Sequence, residues 1–227
     1  MNKGDDFLLL DFFAGSCTSA HAVFDLNKED NGNRKFIMVQ LPEQCAEKSE
    51  AFKAGYKTIA DIGKERIRRA ATKIKEENPD YQGDLGFKVF KLDSSNIRAW
   101  DPDRNDLEGT LYEHTEHLIP GRTEEDILYE LLLKRGVDLT VPIEQKEIIG
   151  KTVYSIGYGV LFTCLDKQIS RDEVEELALG IAAWHKELEP ASDTQVVFRD
   201  SAFADDVAKT NMTAILEQNN IAHVRSL

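Results

Sequence analysis

Asp11-Phe12-Phe13-Ala14-Gly15-Ser16-Cys17-Thr18 follows directly on the apolar run Phe7-Leu8-Leu9-Leu10. Small residues let a loop's backbone approach a ligand, and the free amides that open a helix supply donors to it. After a buried strand, such a loop suits a nucleotide-like ligand at the carboxyl edge of a parallel sheet. An acid at the end of the next strand would grip ribose hydroxyls, and Glu43 stands near that place. The interval from Gly15 to Glu43 is longer than the usual spacing of about 20 residues, but the polar stretch 27–35 would loop out. There is no third glycine, and Asp11 sits inside the strand end, where it could accept hydrogen bonds from a cationic amino-acid group. Both features favour S-adenosylmethionine over a dinucleotide pyrophosphate. The competing structural reading is a glycine that merely makes a tight turn. The candidate cofactor-binding residues are therefore Asp11, Phe12, Phe13, Ala14, Gly15, Ser16, Cys17, Thr18 and Glu43, with no catalytic residue and no metal ligand among them.

These residues need a scaffold, and the sequence predicts one. Residues 7–11 read as a strand buried on both faces, 19–26 as a helix, 27–35 as a turn and 36–40 as a second buried strand. That is a β-α-β unit with a right-handed crossover and a parallel pair. Ile67, Ala70, Ala71 and Ile74 share one face of an amphipathic helix over Ile59–Glu77. Lys64, Arg66, Arg68, Arg69, Lys73 and Lys75 surround that face, as a solvated stripe or as a contact for nucleic acid or an acidic partner. Residues 87–92 alternate well enough for a third strand.

Between Asp101 and Arg135 ten Asp and Glu stand against four Lys and Arg, a composition shift that reads as an acidic linker leading into a helix. That helix, over residues 124–134, presents Ile127, Leu128, Leu131 and Leu132 and stops at Gly136. Beyond it, residues 153–156 and 160–165 are β-prone runs split by Gly157-Tyr158-Gly159, a hairpin pattern. Ser170 and Glu173 form a capping box for a helix carrying Val174, Leu177, Ala178, Ile181, Trp184 and Leu188. Trp184 reads as core. A strand at 195–198, a helix through Ala208, Met212 and Ile215, and a closing strand at 221–224 complete the expected elements. No chemistry-bearing motif falls in this last third, so its expected work is packing or assembly. The fold class is α/β, divided as a cofactor-binding half at 1–100, an acidic linker and helix at 101–149, and a small α/β assembly module at 150–227 expected to fold by itself.

Composition narrows the function. A net charge of −13 with a pI near 4.9 argues against a self-sufficient nucleic-acid binder, because phosphate contacts are built mainly from Lys and Arg. Cys17, Cys45 and Cys164 are odd in number, far apart and without His at ligand spacing, so they read as reduced thiols. His114 and His117 could share a helix face, but two ligands without a third make a weak metal site. No signal peptide or membrane span is visible, and a cytoplasmic protein is expected.

Residues 11–23, from Asp11-Phe12-Phe13-Ala14-Gly15-Ser16 to Ala22-Val23, with Phe36-Ile37-Met38-Val39-Gln40-Leu41-Pro42-Glu43, resemble the cofactor loop and second strand of type III modification methyltransferases. The similarity continues through Gly55-Tyr56-Lys57-Thr58-Ile59-Ala60, Phe87-Lys88-Val89-Phe90-Lys91-Leu92-Asp93, Asp205-Asp206-Val207-Ala208-Lys209-Thr210-Asn211 and Val224-Arg225-Ser226-Leu227. The resemblance implies a partial Rossmann-like S-adenosylmethionine-dependent methyltransferase fold in the carboxy-terminal part of an adenine-N6 DNA methyltransferase. It implies DNA, a second modification subunit and a restriction subunit as partners of the full-length protein, with no membrane. In the order it implies, the catalytic Asp-Pro-Pro-Tyr segment and the target-recognition region precede the cofactor loop. Neither is present; Asp101-Pro102-Asp103-Arg104 lacks the aromatic residue that stacks on a flipped base. The chain alone is therefore expected to be inactive. Cys17 stands where the family has the second glycine of its Phe-x-Gly-x-Gly loop, a departure expected to weaken cofactor binding. The alternative class is a non-enzymatic oligomerisation or docking module for a restriction-modification complex.

Overall fold

Two mostly apolar runs, one interrupted by Asp11 and the other led by Lys35, become the strands β1 (Leu8–Phe12) and β2 (Lys35–Val39), paired in parallel with Leu10 opposite Ile37 and Phe12 opposite Val39 in this computed structural model. The structure describes residues 6–101, 105, 106, 109 and 117–227. The chain forms two compact units, Met1–Val89 and Phe90–Leu227.

In the first unit, α1 (Thr18–Asp30) joins β1 to β2, giving the expected β-α-β crossover. The helix runs four residues past the carboxyl end that the spacing predicts, because Asn27 is a buried helical residue and not the start of a turn. Its Nδ2 donates to the Arg34 carbonyl at 2.9 Å and its Oδ1 accepts from the Arg34 amide at 3.0 Å, so the returning chain satisfies it. The short helix α2 (Glu50–Lys53) and the long helix α3 (Ile59–Glu77) follow. Thr58 opens α3 with a capping box on Asp61. Ala20 and Phe24 of α1 pack with Ile67, Ala70 and Ile74 of α3 over Phe36 and Met38 of the sheet. Residues 87–92 form no strand: Phe87 packs on this core, and among the described residues no neighbouring strand pairs with the segment to complete a ladder.

The second unit is built on a five-stranded sheet in the order β3 (Ile143–Ile148), β4 (Lys151–Ile156), β5 (Leu161–Cys164), β6 (Gln195–Phe198), β7 (His223–Ser226). The first two pairings are antiparallel and the last two parallel. α5 (Arg171–Leu188) and α6 (Asp206–Gln218) make the two parallel crossovers, and their Leu177, Ile181, Met212 and Leu216 bury one sheet face with Phe162 and Phe198. Trp184 belongs to that core, edge-on to Phe162 at 5.4 Å. α4 (Glu124–Lys134) contributes Ile127, Leu128, Leu131 and Leu132 to a second core with Ile156, Leu161 and Val197 of the sheet. β3 was not foreseen, and the expected module boundary at residue 150 falls inside the β3–β4 hairpin. His114 and residues 102–104 lie outside the described residues.

Glu130 of α4 fastens the segment that precedes it. Its carboxylate accepts from the Ser95 hydroxyl at 2.5 Å and the Asn96 amide at 2.6 Å, and pairs with Lys134 at 2.9 Å. Burial works against its charge, but these donors outweigh it and hold the carboxyl at about 2, against an ordinary 4.5. A depressed folded-state pKa means a contribution present above pH 4.5 and lost as pH falls toward 2. Hydrogen bonds to a charged group are worth about 1.5–3 kcal/mol, so Glu130→Gln is expected to lower stability at pH 7 by an amount in that range. Thermal unfolding of both proteins should show the gap closing between pH 4.5 and 2; a gap independent of pH would contradict this.

Candidate functional site

The loop after β1 is held in a conformation few L-residues adopt. Phe13, Gly15 and Cys17 all have positive φ, at 82°, 53° and 57°. Most of the amides in this loop are satisfied within the unit: the Cys17 amide donates to the Ala14 carbonyl at 2.8 Å. The Phe13 and Ala14 amides donate to the Val39 carbonyl at 2.9 and 3.0 Å, so β2 anchors the start of the loop. Gln40, just beyond β2, accepts from the Gly15 amide at 2.7 Å. A Cβ on Gly15 would meet nothing within 4 Å, so the backbone there faces open space and glycine answers to φ alone.

Cys17 is the N-cap of α1 and makes no side-chain cap bond, leaving the helix's first amides to other partners. Its positive φ is the one expected where the family carries glycine. Its side chain, however, is buried and points at α3: a Cβ on Gly63 would stand 2.6 Å from the thiol sulfur and 3.2 Å from the Gly15 carbonyl oxygen. Burial first, then the Asp11 charge, raises the thiol pKa, with Arg66 opposing, so Cys17 stays protonated.

Asp11 lies on the helix-covered side of β1 and accepts from the Ser19 hydroxyl. Phe12 and Phe13 sit at the loop's mouth with rings edge-to-face at 5.5 Å, 64% and 66% exposed. The Ser16 and Thr18 hydroxyls are 3.4 Å apart. Because β1 and β2 are parallel and Phe12 pairs with Val39, Glu43 emerges at the same edge of the sheet as the loop. It is exposed, and its carbonyl is tied to the Ile59 amide at 2.9 Å. Sequence reasoning missed Gln40, Ser19 and Gly63 as parts of this arrangement. A glycine inside an otherwise amphipathic helix was the available signal for Gly63.

The basic stripe of α3 is largely internally paired. Lys64 meets Asp61 at 2.7 Å, Arg69 meets Glu65 at 2.8 Å, and Lys73 meets Glu77 at 3.7 Å, which favours a solvated helix face. Among the described residues, no three His, Cys, Asp or Glu side chains cluster as metal ligands, and all three cysteines are free and buried. No described helix is long and apolar enough to cross a membrane.

No protein-family model matches the chain. The EcoP15I Mod subunit of Escherichia coli, a type III restriction-modification enzyme, is 39% identical over 146 residues, 63% of this chain and 21% of the relative. The chain is a relative of the type III Mod subunits. The StyLTI Mod subunit of Salmonella typhimurium is 50% identical over 87 residues, 38% of this chain and 13% of the relative. The type II methyltransferase M.KpnI of Klebsiella pneumoniae is 38% identical over 77 residues, 34% of this chain and 18% of that enzyme. The matches thus span less than a quarter of the length of each of these curated relatives. The α/β class read from the sequence holds, with one parallel and one mixed sheet.

Proposed function

We propose that the chain is the S-adenosylmethionine-binding part of a site-specific DNA adenine-N6 methyltransferase, the modification subunit of a type III restriction-modification system, inactive alone. The observation that carries this is the left-handed loop Phe13–Cys17 between β1 and an α1 start without a side-chain cap, in a relative of Mod subunits. S-adenosylmethionine, when bound, supplies the methyl group as an electrophile. This chain's contribution is to hold it. The Ser16 and Thr18 backbone and hydroxyls at the start of α1 offer donors, the exposed Phe12 and Phe13 rings offer apolar faces, and Glu43 offers acceptors to ribose hydroxyls. Methyl transfer needs an in-line approach, so the gain comes chiefly from orienting two bound reactants. DNA, with a basic groove supplied mostly from outside this acidic chain, a second modification subunit and a restriction subunit are the partners of the whole cytoplasmic protein.

In this reading the partial Rossmann-like half is the unit Met1–Val89, and the linker, helix and assembly module expected at 101–149 and 150–227 belong to one unit, Phe90–Leu227. A purely non-enzymatic assembly role is the second reading. It is favoured by the self-contained sheet and two cores of Phe90–Leu227. Calorimetric titration with S-adenosylmethionine separates them: measurable binding is expected, and its absence would leave only the assembly role. The same preparation, incubated with labelled cofactor and mixed-sequence duplex DNA, is expected to transfer no methyl group. Labelling of adenine by the chain alone would refute its inactivity.

A further inference from the structure

A loop that is left-handed at Phe13, Gly15 and Cys17 does not hold itself in place, because L-residues at positive φ are disfavoured and the peptide planes between them turn over unless tied down. Backbone ties account for three of its amides. Phe13 and Ala14 donate to the Val39 carbonyl, and Cys17 donates to the Ala14 carbonyl. The Gly15 amide stands among them without a carbonyl partner. It donates instead to Oε1 of Gln40 at 2.7 Å, a residue 25 positions away. Among the described residues this is the single side-chain hydrogen bond that the loop's backbone receives.

Gly15 depends on that bond more than its neighbours would. A Cβ there would meet nothing within 4 Å, so packing does not restrain the residue. Its carbonyl oxygen lies 3.2 Å from where a Cβ on Gly63 would stand, so α3 bounds the peptide that follows. The peptide that precedes it, between Ala14 and Gly15, is held at its carbonyl by the Cys17 amide, a bond internal to the loop that turns with it. Gln40 is what ties that plane to the sheet. Phe12 pairs with Val39, so the first residue beyond β2 emerges beside the loop. Its Nε2 donates to the Leu41 carbonyl at 3.2 Å, which leaves Oε1, the acceptor, facing Gly15.

We propose that Gln40 is a positioning residue for the cofactor loop: its side chain fixes the Gly15 peptide and so sets the left-handed backbone on which S-adenosylmethionine is received. It acts through Gly15 and touches no reacting atom. This inference deepens the cofactor reading and rests on it. The physical gain is preorganisation, since a loop already in its binding conformation loses less freedom when a ligand orders it. Reach matters as much as chemistry. Asn offers the same amide one methylene short, whereas Glu offers an acceptor at equal length, and a carboxylate accepts strongly from a backbone N–H.

The test takes the full chain as the parent and as Gln40→Leu, Gln40→Asn and Gln40→Glu. S-adenosylmethionine is the probe in calorimetry, and NMR reads hydrogen exchange at the Gly15 amide of the free proteins. Gln40→Leu and Gln40→Asn are expected to weaken binding about tenfold and to speed Gly15 exchange by a similar factor, the loss of one hydrogen bond. Gln40→Glu is expected to bring both back to within about threefold of the parent. The thermal transition should stay in place, because Gln40 is half-buried and lies outside every strand and helix. A lowered transition with faster exchange all along Leu8–Phe12 would make Gln40 merely structural and overturn the proposal. So would Gly15 exchange indifferent to Gln40, or a Gln40→Glu protein no better than Gln40→Leu. Tighter binding by Gln40→Leu would also overturn it, since the side chain would then be occupying a donor that the ligand needs. The two claims separate cleanly. A parent that binds no S-adenosylmethionine sinks the cofactor reading while exchange still decides whether Gln40 sets the loop, and a parent that binds, with Gly15 exchange unchanged in Gln40→Leu, sinks the positioning claim alone.

Discussion

Residues 90–227 expressed alone are expected to unfold in one cooperative transition, whereas residues 150–227 are not. The shorter piece loses β3, which pairs along its length with β4, and the whole of α4. Ile127, Leu128, Leu131 and Leu132 of α4 are each at most 5% exposed, and removing them bares Ile156, Leu161 and Val197 on the sheet. A buried Leu or Ile contributes about 1.5–3 kcal/mol, so four amount to roughly 6–12 kcal/mol. A domain's entire stability is about 5–15 kcal/mol, so the cut is expected to remove most of it. Circular dichroism melts of both fragments decide the matter. A sharp transition in residues 150–227 would mean that the α5–α6 core carries the fold by itself.

That boundary shows where local sequence stops informing. α3, α4 and α5 were legible because apolar residues recur at helical spacing and their starts carry capping signals. β3 was not, because Ile143 and Ile148 bracket Glu144-Gln145-Lys146-Glu147, whose four side chains are exposed. Such charge is how an edge strand avoids further pairing, and it erases the alternation by which strands are recognised. Residues 87–92 fail in the opposite sense. Their alternation is strand-like, but a strand exists only beside a neighbour, and Phe90 instead stacks edge-on against Tyr129 at 4.9 Å. The polar Asn27 read as a turn because burial of a satisfied amide cannot be seen without the Arg34 backbone that satisfies it.

The candidate site divides along the same line. The loop was legible because small residues after an apolar run are a local pattern, and its strained backbone is what that pattern requires. Gln40 and Gly63 were not, since they reach the loop from β2's end and from α3. Cys17 belongs to both groups: its left-handed φ follows from the glycine it replaces, but the direction of its thiol depends on a helix more than forty residues away.

Gly63→Ala is expected to weaken S-adenosylmethionine binding by about tenfold, equivalent to about 1.4 kcal/mol, and Cys17→Gly is expected to restore it. An added methyl at Gly63 cannot coexist with a sulfur at 2.6 Å, and the Gly15 carbonyl at 3.2 Å leaves little room to yield. Overpacking of this kind costs about 1–3 kcal/mol, partly offset by about 1 kcal/mol from replacing glycine within a helix. The strain falls on the loop, because α3 is fastened by its capping box and by Ile67, Ala70 and Ile74 in the core. Cys17→Gly alone acts differently. A left-handed non-glycine residue costs about 1–2 kcal/mol, and relieving it gains stability against the packing lost with the buried thiol. Since the thiol faces α3, neither term differs much between free and bound loops, so affinity should change less than twofold. In the double variant the new methyl occupies the volume vacated by sulfur, and a coupling within about 0.5–3 kcal/mol is expected for residues in contact. Calorimetry on the four proteins completes the cycle. Additive effects would show that α3 does not set the loop's geometry, and a large gain from Cys17→Gly alone would place the thiol against the ligand instead of the helix.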